Sequence, residues 1–349
     1  MRWAIFAFDA AVAFAYAFTF QAVVARGWLP PRATTLLGAG SLAYFMTATA
    51  MLAVHTVLLV VHRVLDSDTD PERRRVLNVA GNALMAAPFA VMGYGALVQR
   101  TDFRVREVDI PLPGLPADLE GLRILQLSDI HLSAFLSENE FARVVDAARQ
   151  LNPQLAVVTG DLISGPEDPL DACIRQLARL RAEAGVFGCM GNHERYARAE
   201  DYTERTCARA GIRFLRHRAA ALRFGAATLN LAGSDFCSQR HKQSYLAGMG
   251  RLVVPGACNV LLQHNPDVFP VAARQGYNLL LAGHTHGGQV TAEILDQSLN
   301  PARFLTPYVY GLYRQGNAAA YVTRGIGTIG VPARIGAPPE ISLLRLRKA

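Results

Sequence analysis

Residues 281–289 read Leu-Ala-Gly-His-Thr-His-Gly-Gly-Gln. The apolar run Leu279 to Leu281 enters this stretch as a buried strand would, and Gly283 ends it. His284 and His286 then stand at i and i+2 on a loop. Glycines on both sides let the backbone close in on whatever the rings hold. Neutral imidazole is the commonest metal ligand near neutral pH, so the pair forms one end of a metal site if partners exist elsewhere.

Four other apolar runs end in similar chemistry. Residues 123–128 stop at Asp129-Ile130-His131, and Leu155 to Thr159 stops at Gly160-Asp161. Gly185 to Met190 delivers Gly191-Asn192-His193-Glu194, and Asn259 to Gln263 delivers His264-Asn265-Pro266-Asp267. Asp and Asn are common turn residues, which accounts for any single case. It does not account for five, each beginning where an apolar run stops. Ser137 and Glu140 make a capping box for a helix reaching Gln150, and helices are expected at about 169–181 and 199–210. Further strands are expected at 103–112, 212–215, 220–224, 227–232, 321–323 and 341–346. Strands alternating with helices predict an α/β domain with a layered sheet core and function at the carboxyl ends of strands. Residues 290–317 show little periodicity and are expected to form a long loop over the site.

The first hundred residues differ in kind. Apolar runs occupy about 3–25, 36–61 and 76–98, each long enough for a hydrocarbon core of about 30 Å, which takes roughly 20 helical residues. They predict three transmembrane helices in residues 1–100, then a linker and first strand over 101–119 and the α/β domain over 120–349. A signal peptide has a shorter apolar centre and is not followed by two more spans. Pro88 and the glycines of the third run are tolerated in membrane helices. Arg63, Arg73, Arg74 and Arg75 in the second loop outweigh Arg26 and Arg32 in the first, which favours an extracytoplasmic catalytic domain, although Arg100, Arg104 and Arg106 pull the other way. Asp9 and His55 lie inside apolar runs, where ionisable residues are costly and often functional; an interfacial position for Asp9 and a hydrogen bond between helices for His55 are the plainer alternatives.

Across 349 residues the chain is 51% hydrophobic and 18% charged, with net charge +7. That charge suits a phospholipid surface or a phosphate ester. No lysine-rich run or aromatic-basic ladder indicates nucleic acid. The five cysteines include no Cys-x-x-Cys, so neither a zinc knuckle nor a disulfide scaffold is indicated.

Asp129, His131, Asp161, Asn192, His264, His284 and His286 offer only oxygen and nitrogen donors. That is too many for one tetrahedral zinc and suits two ions sharing a carboxylate. The donor set favours manganese, iron, zinc or nickel over copper(I), calcium or magnesium alone. A pair of ions about 3.5–4 Å apart clamps both oxygens of a phosphoryl transfer.

The blocks Asp-x-His, Gly-Asp, Gly-Asn-His-Glu, His and Gly-His-x-His, in this order over about residues 120–347, resemble the calcineurin-like metallophosphoesterase superfamily. The wording of residues 283–289 and of Arg324-Gly325-Ile326-Gly327 is similar to a bacterial membrane-anchored branch, some of whose members hydrolyse UDP-2,3-diacylglucosamine in lipid A synthesis. The resemblance implies a layered sheet sandwich flanked by helices. It further implies Asp129, His131 and His286 at one metal, Asn192, His264 and His284 at the other, and Asp161 bridging them. It implies in-line attack of a metal-bridging hydroxide, with His193 at the leaving oxygen. Glu194, beside His193, either orients it or lies solvated at a helix start. Gln289 and Arg324 are candidates for the substrate phosphate, with an ordinary ion pair as the alternative for Arg324. Asn265 and Asp267 are expected to shape a turn, and Tyr308, Tyr310 and Tyr313 to pack or to meet a lipid or sugar. The many relatives with a single anchor or an export signal differ from the three spans expected here, so orientation does not carry over.

The expected function is a multi-pass bacterial inner-membrane hydrolase of a phosphodiester, pyrophosphate or phosphomonoester whose substrate is lipid-linked. A UDP-2,3-diacylglucosamine pyrophosphatase is its narrower form. Readings of other classes are a phospho-ligand-binding membrane scaffold or sensor and a transporter-like role for the helices.

Overall fold

The computed structural model describes residues 29–65, 71–238, 244–291 and 300–349. The expected span at 3–25, with Asp9, lies outside them. The described residues fall into two compact units. One runs up to Gln99 and includes Gly330–Ile335; the other comprises Arg100–Ile329 and Gly336–Ala349.

The first unit is built on two long helices, α1 (Pro31–Leu65) and α2 (Pro71–Leu97), which contain the expected second and third spans almost entirely. The windows Arg32–Val61 and Arg74–Thr101 have mean hydropathies of 1.9 and 1.5 and are long and apolar enough to cross a membrane. Leu36, Phe45, Val57, Val76 and Phe89 are exposed, which suits lipid rather than water. Ser41, Thr47, Thr49 and Thr56 return their hydroxyl protons to carbonyls one turn earlier, so none of them needs an outside acceptor. Pro88 sits inside α2, and His55 is half-buried on α1. The Arg334 amide donates to the Gly95 carbonyl (3.2 Å), and a side chain at residue 95 would meet Ile335.

The second unit is a sandwich of two six-stranded sheets. Its strands are β1 (Arg104–Leu112), β2 (Arg123–Leu127), β3 (Leu155–Val158), β4 (Val186–Gly188), β5 (Ile212–Phe214), β6 (Arg218–Phe224), β7 (Ala227–Gly233), β8 (Cys258–Leu262), β9 (Leu279–Ala282), β10 (Gly311–Gln315), β11 (Ala318–Val322) and β12 (Glu340–Lys348). One sheet runs β1-β12-β2-β3-β4-β5 and the other β10-β11-β9-β8-β7-β6. The strand expected at 103–112 forms as β1, which pairs with β12 along its whole length, from Arg104 opposite Glu340 to Leu112 opposite Lys348. Strands β2 to β5 are mutually parallel, as are β7, β8, β9 and β11.

Alternation explains the unbroken apolar runs. Ile124, Val157, Val260, Leu262, Leu279 and Leu281 point between the sheets, where they meet Phe187 and Tyr321. Their neighbours Leu125, Leu127, Ala156 and Val158 pack outward under α3 (Glu138–Gln150) and α4 (Leu170–Leu177). Leu261, Leu280 and Ala282 face the other way, towards Phe269 and Ala272. Both faces of each central strand are buried, so both carry apolar residues. The Ser137 capping box forms as expected, with the Ser137 hydroxyl accepting from the Glu140 amide (3.2 Å) and Glu140 from the Ser137 amide (2.8 Å).

Three elements depart from the expectation. Asn192–Tyr196 is a short helix, α5, which precedes α6 (Glu200–Arg209). Phe269–Gln275 forms a further helix, α7. Within the expected loop over 290–317, Gly311–Gln315 is an edge strand, β10, hydrogen-bonded antiparallel to β11.

Candidate metal centre

The site gathers at the carboxyl ends of β2, β3, β4, β8 and β9. Each parallel strand hands its last peptide to a loop that turns at once, and the turning residues are the donors themselves. Asp129, His131, Asp161, His284 and His286 all have positive φ, between 48° and 74°. Such backbone costs roughly 1–3 kcal/mol per residue and clusters at functional sites. Interstrand bonds carry the sheet past its ends and hold these loops. Asp129 N donates to Gly160 O (3.1 Å), His131 N to Asp161 O (3.1 Å), Gly283 N to His264 O (3.1 Å) and Gly327 N to Asp129 O (2.7 Å). Two glycines are required by close approach: a Cβ on Gly191 would run into the Asp161 carboxylate, and one on Gly283 into Asp129.

Asp161 lies at the centre. Its Oδ2 is 3.0 Å from His264 Nε2 and 3.5 Å from His131 Nε2, and its Oδ1 accepts from the His193 amide (2.9 Å). Asp129 Oδ1 is 3.3 Å from His286 Nε2 and 3.9 Å from His264 Nε2, while both its oxygens accept from the His284 amide. Asp129, His131 and His286 bring one donor atom each within 4.8 Å of one another, and so do Asp161, His264 and His284. His131, Asp161 and His193 form a third such group. His131 stacks on His286 and meets His193 edge-on, and His264 meets His284 edge-on. Ring orientation comes from outside the cluster: His131 Nδ1 contacts Ser164 Oγ (3.0 Å), His264 Nδ1 contacts Thr159 O (2.6 Å) and His193 Nδ1 contacts Ser164 O (2.6 Å).

The electrostatics follow from that packing. Burial pushes Asp161 up, but His264, His131 and His193 overcome it and hold its carboxyl well below the usual range. Burial would depress His264; Asp161 and Asp129 instead push it up to about 10. Burial, reinforced by His264, brings His284 down to about 3. Burial also raises Asp129, with Asp161 adding to the effect. Without metal, His264 therefore carries a proton that the two carboxylates hold.

The remaining expected residues are placed as follows. Glu194 neither orients the His193 ring nor lies solvated. It is fully buried and accepts from the amides of Gly191 (2.8 Å), Asp161 (3.0 Å) and Leu162 (2.6 Å). It thus ties the β4 loop to the β3 loop, and burial with the Asp161 charge raises it to about 6. Gln289 uses both ends of its amide on Ile329, at 3.0 and 2.9 Å. Arg324 packs over the Tyr310 ring (4.0 Å) with its Nε 4.0 Å from Glu340. Asn265 caps the turn after β8 and donates to Cys237 O, and Asp267 accepts from the Thr306 hydroxyl. Tyr308 packs edge-on against Tyr313 and Phe269. Sequence reasoning missed Ser164, which lies in a loop without a motif, and Phe236, whose ring sits against His284 and His264. Phe236 follows the end of β7, so a sixth strand end was there to be read.

Residues 122–288 match the calcineurin-like phosphoesterase family. The chain is 30% identical to a transmembrane protein with metallophosphoesterase domain from Danio rerio, over 79% of this chain and 63% of that protein. It is 28% identical to YkuE, an uncharacterized metallophosphoesterase of Bacillus subtilis, over 79% of this chain and 97% of that protein. An uncharacterized metallophosphoesterase of Campylobacter jejuni is 29% identical, over 70% of this chain and 63% of that protein. The chain thus spans under two thirds of the length of the first and third of these relatives. Together these matches support the calcineurin-like metallophosphoesterase superfamily for this chain. Metallophosphoesterases of this superfamily are hydrolases with a binuclear divalent metal site, and the clustered Asp and His groups are able to hold such ions. The donor chemistry fits, and so does Asn192, whose Oδ1 is buried and has no hydrogen-bond partner among the described residues. Together with the two apolar helices, the transmembrane naming of the relatives from Danio rerio and Bos taurus suggests membrane association.

Proposed function

We propose that this chain is a membrane-anchored binuclear-metal phosphoesterase that cleaves a phosphodiester, pyrophosphate or phosphomonoester carried by an amphiphilic molecule. The observation that carries the reading is the convergence of His131, His264 and the His193 amide on the single carboxylate of Asp161. In this reading Asp129, His131 and His286 hold one ion, Asn192, His264 and His284 hold the other, and Asp161 is shared. Two divalent ions there would neutralise phosphate oxygens and lower the pKa of bound water.

The chain's own groups do the rest. His193 keeps its Nδ1 proton on Ser164 O, which leaves Nε2 as the atom that exchanges a proton. In its imidazolium form it donates from Nε2 to the departing oxygen. Arg324, flattened on Tyr310, presents a guanidinium fork to a substrate phosphate, and Gln289 holds the 289–329 loop pair that frames it. The paired apolar helices favour an amphiphilic substrate, and the charge balance of the loops favours a catalytic unit on the extracytoplasmic side of a bacterial inner membrane. A diacylglucosamine-linked substrate is the narrowest form of the reading.

Hydrolysis of model phosphomonoesters and phosphodiesters by the purified full-length chain, with and without added manganese, tests the proposal. Activity should need metal and should fall more than about a hundredfold in Asp161→Ala, beyond the usual cost of losing a residue that only orients a metal ligand. Turnover by the metal-replete variant at the original rate would sink the two-metal assignment. Inertness of the metal-loaded wild type to every ester class would favour the scaffold reading.

A further inference from the structure

Beside the metal loop lies a short segment whose surface contradicts its neighbourhood. Pro301–Phe304 forms a 3-10 turn bounded by two buried polar residues, Asn300 and Thr306. Asn300 caps the turn by accepting from the Ala302 amide (3.0 Å) and donates to Gly287 O (2.9 Å), one residue from His286. The Thr306 hydroxyl donates to Asp267, three residues after His264. Between these anchors the backbone closes on itself, with Leu305 N and Thr306 N both reaching Ala302 O at 3.0 Å. The turn is therefore held in place, yet its two large apolar residues face out. Phe304 is 93% exposed and Leu305 77%. Phe304 is the most exposed large hydrophobic among the described residues, the two long helices included.

A soluble surface tolerates single exposed apolar side chains, but a braced turn that aims a Phe-Leu pair outward has the composition of an interfacial anchor. Arg303 is exposed at their side, in the place where a cation meets anionic head groups while its neighbours enter the acyl region. Its sign agrees with the net charge of +7. The chain also carries two helices long and apolar enough to span a bilayer, and under the membrane-anchored reading lipid is the apolar phase within its reach.

We propose that the Phe304–Leu305 tip inserts into the interface of an anionic lipid bilayer and so sets the mouth of the metal centre at the membrane surface. The inference rests on the membrane-anchored reading but not on catalysis. The Phe304 and Leu305 side chains carry no polar atoms, so their burial in lipid costs no side-chain hydrogen bond, while Asn300 and Thr306 hold the two ends of the turn.

The test uses the full chain reconstituted in vesicles of phosphatidylcholine and phosphatidylglycerol. Its only tryptophans are Trp3 and Trp28, so Phe304→Trp in a Trp3→Phe, Trp28→Phe background gives one reporter. The expected result is blue-shifted emission, most of which is lost when the acyl chains are brominated. Emission at the water position without quenching overturns the proposal. So does a blue shift that bromine leaves untouched, since the tip would then be covered by protein, such as a second copy. Quenching that appears only when a long-chain phosphate ester is added also overturns it, because the tip would be gripping substrate. As a second readout, Phe304→Asp with Leu305→Asp should slow hydrolysis of a bilayer-borne ester severalfold and leave a water-soluble ester unaffected. Equal loss on both overturns the interfacial role. An enzyme inert to all esters sinks the hydrolase reading, while the quenching result still decides the tip.

Discussion

Glu194 is the residue whose part in the site is structural rather than chemical. Its carboxylate, wholly buried, closes three backbone N–H groups in the loops that carry Asp161 and Asn192. Glu194→Ala would leave those donors buried and unpaired, at about 1–3 kcal/mol each. Thermal unfolding should show a loss of roughly 3 kcal/mol or more by the same reckoning, and Glu194→Gln a smaller one. Gly191→Ala acts differently: its methyl would meet both the Asp161 carboxylate and the Asp161 amide nitrogen, so metal content and melting temperature should fall together. Protons provide a further test. His264 in the metal-free chain holds its proton up to about pH 10, above its ordinary 6.5, so that proton stabilises the fold below pH 6.5 and the contribution fades as pH rises through 10. Metal must displace it. Uptake should therefore release a proton between those limits, and affinity should rise about tenfold per pH unit, as titration in weakly buffered indicator dye would read. The clustered Asp and His residues were legible because each stands where an apolar run stops. Glu194 was not, because Gly191 is close in sequence but Asp161 and Leu162 meet it only after the two strand ends are side by side.

At the scale of elements, legibility followed burial. Strands β8 and β9 are covered on both faces and so carry the apolar runs Val260–Leu262 and Leu279–Ala282 that the sequence displays directly. The β10 strand lies at a sheet edge with half-exposed or exposed residues throughout, so it lacks any apolar run and its sequence reads as loop. Helix α7 is seven residues long and buries only Phe269 and Ala272, too little for a 3.6-residue period to register. Helix α3 was visible through its cap. Ser137→Ala should cost about 1 kcal/mol, read as a lowered melting temperature with metal content unchanged.

For the whole molecule, the long apolar helices were the easiest feature to read, because an unbroken run of about 20 apolar residues suits a bilayer far better than a water-facing surface. Their orientation was not, since arginines lie on both sides of the expected spans. Protease added to spheroplasts should cut the unit beyond residue 100 if it faces outward, and should spare it until lysis if it faces inward. The claim on which the account turns is that Asp161 joins two ions in one centre. Metal content per chain, measured in the purified wild type and in Asp161→Ala alongside esterase activity, tests it most directly. The wild-type chain should hold two divalent ions, with both ions and activity lost together in the variant. A fully active wild type with a single ion, or a variant that keeps two ions and full turnover, would contradict it.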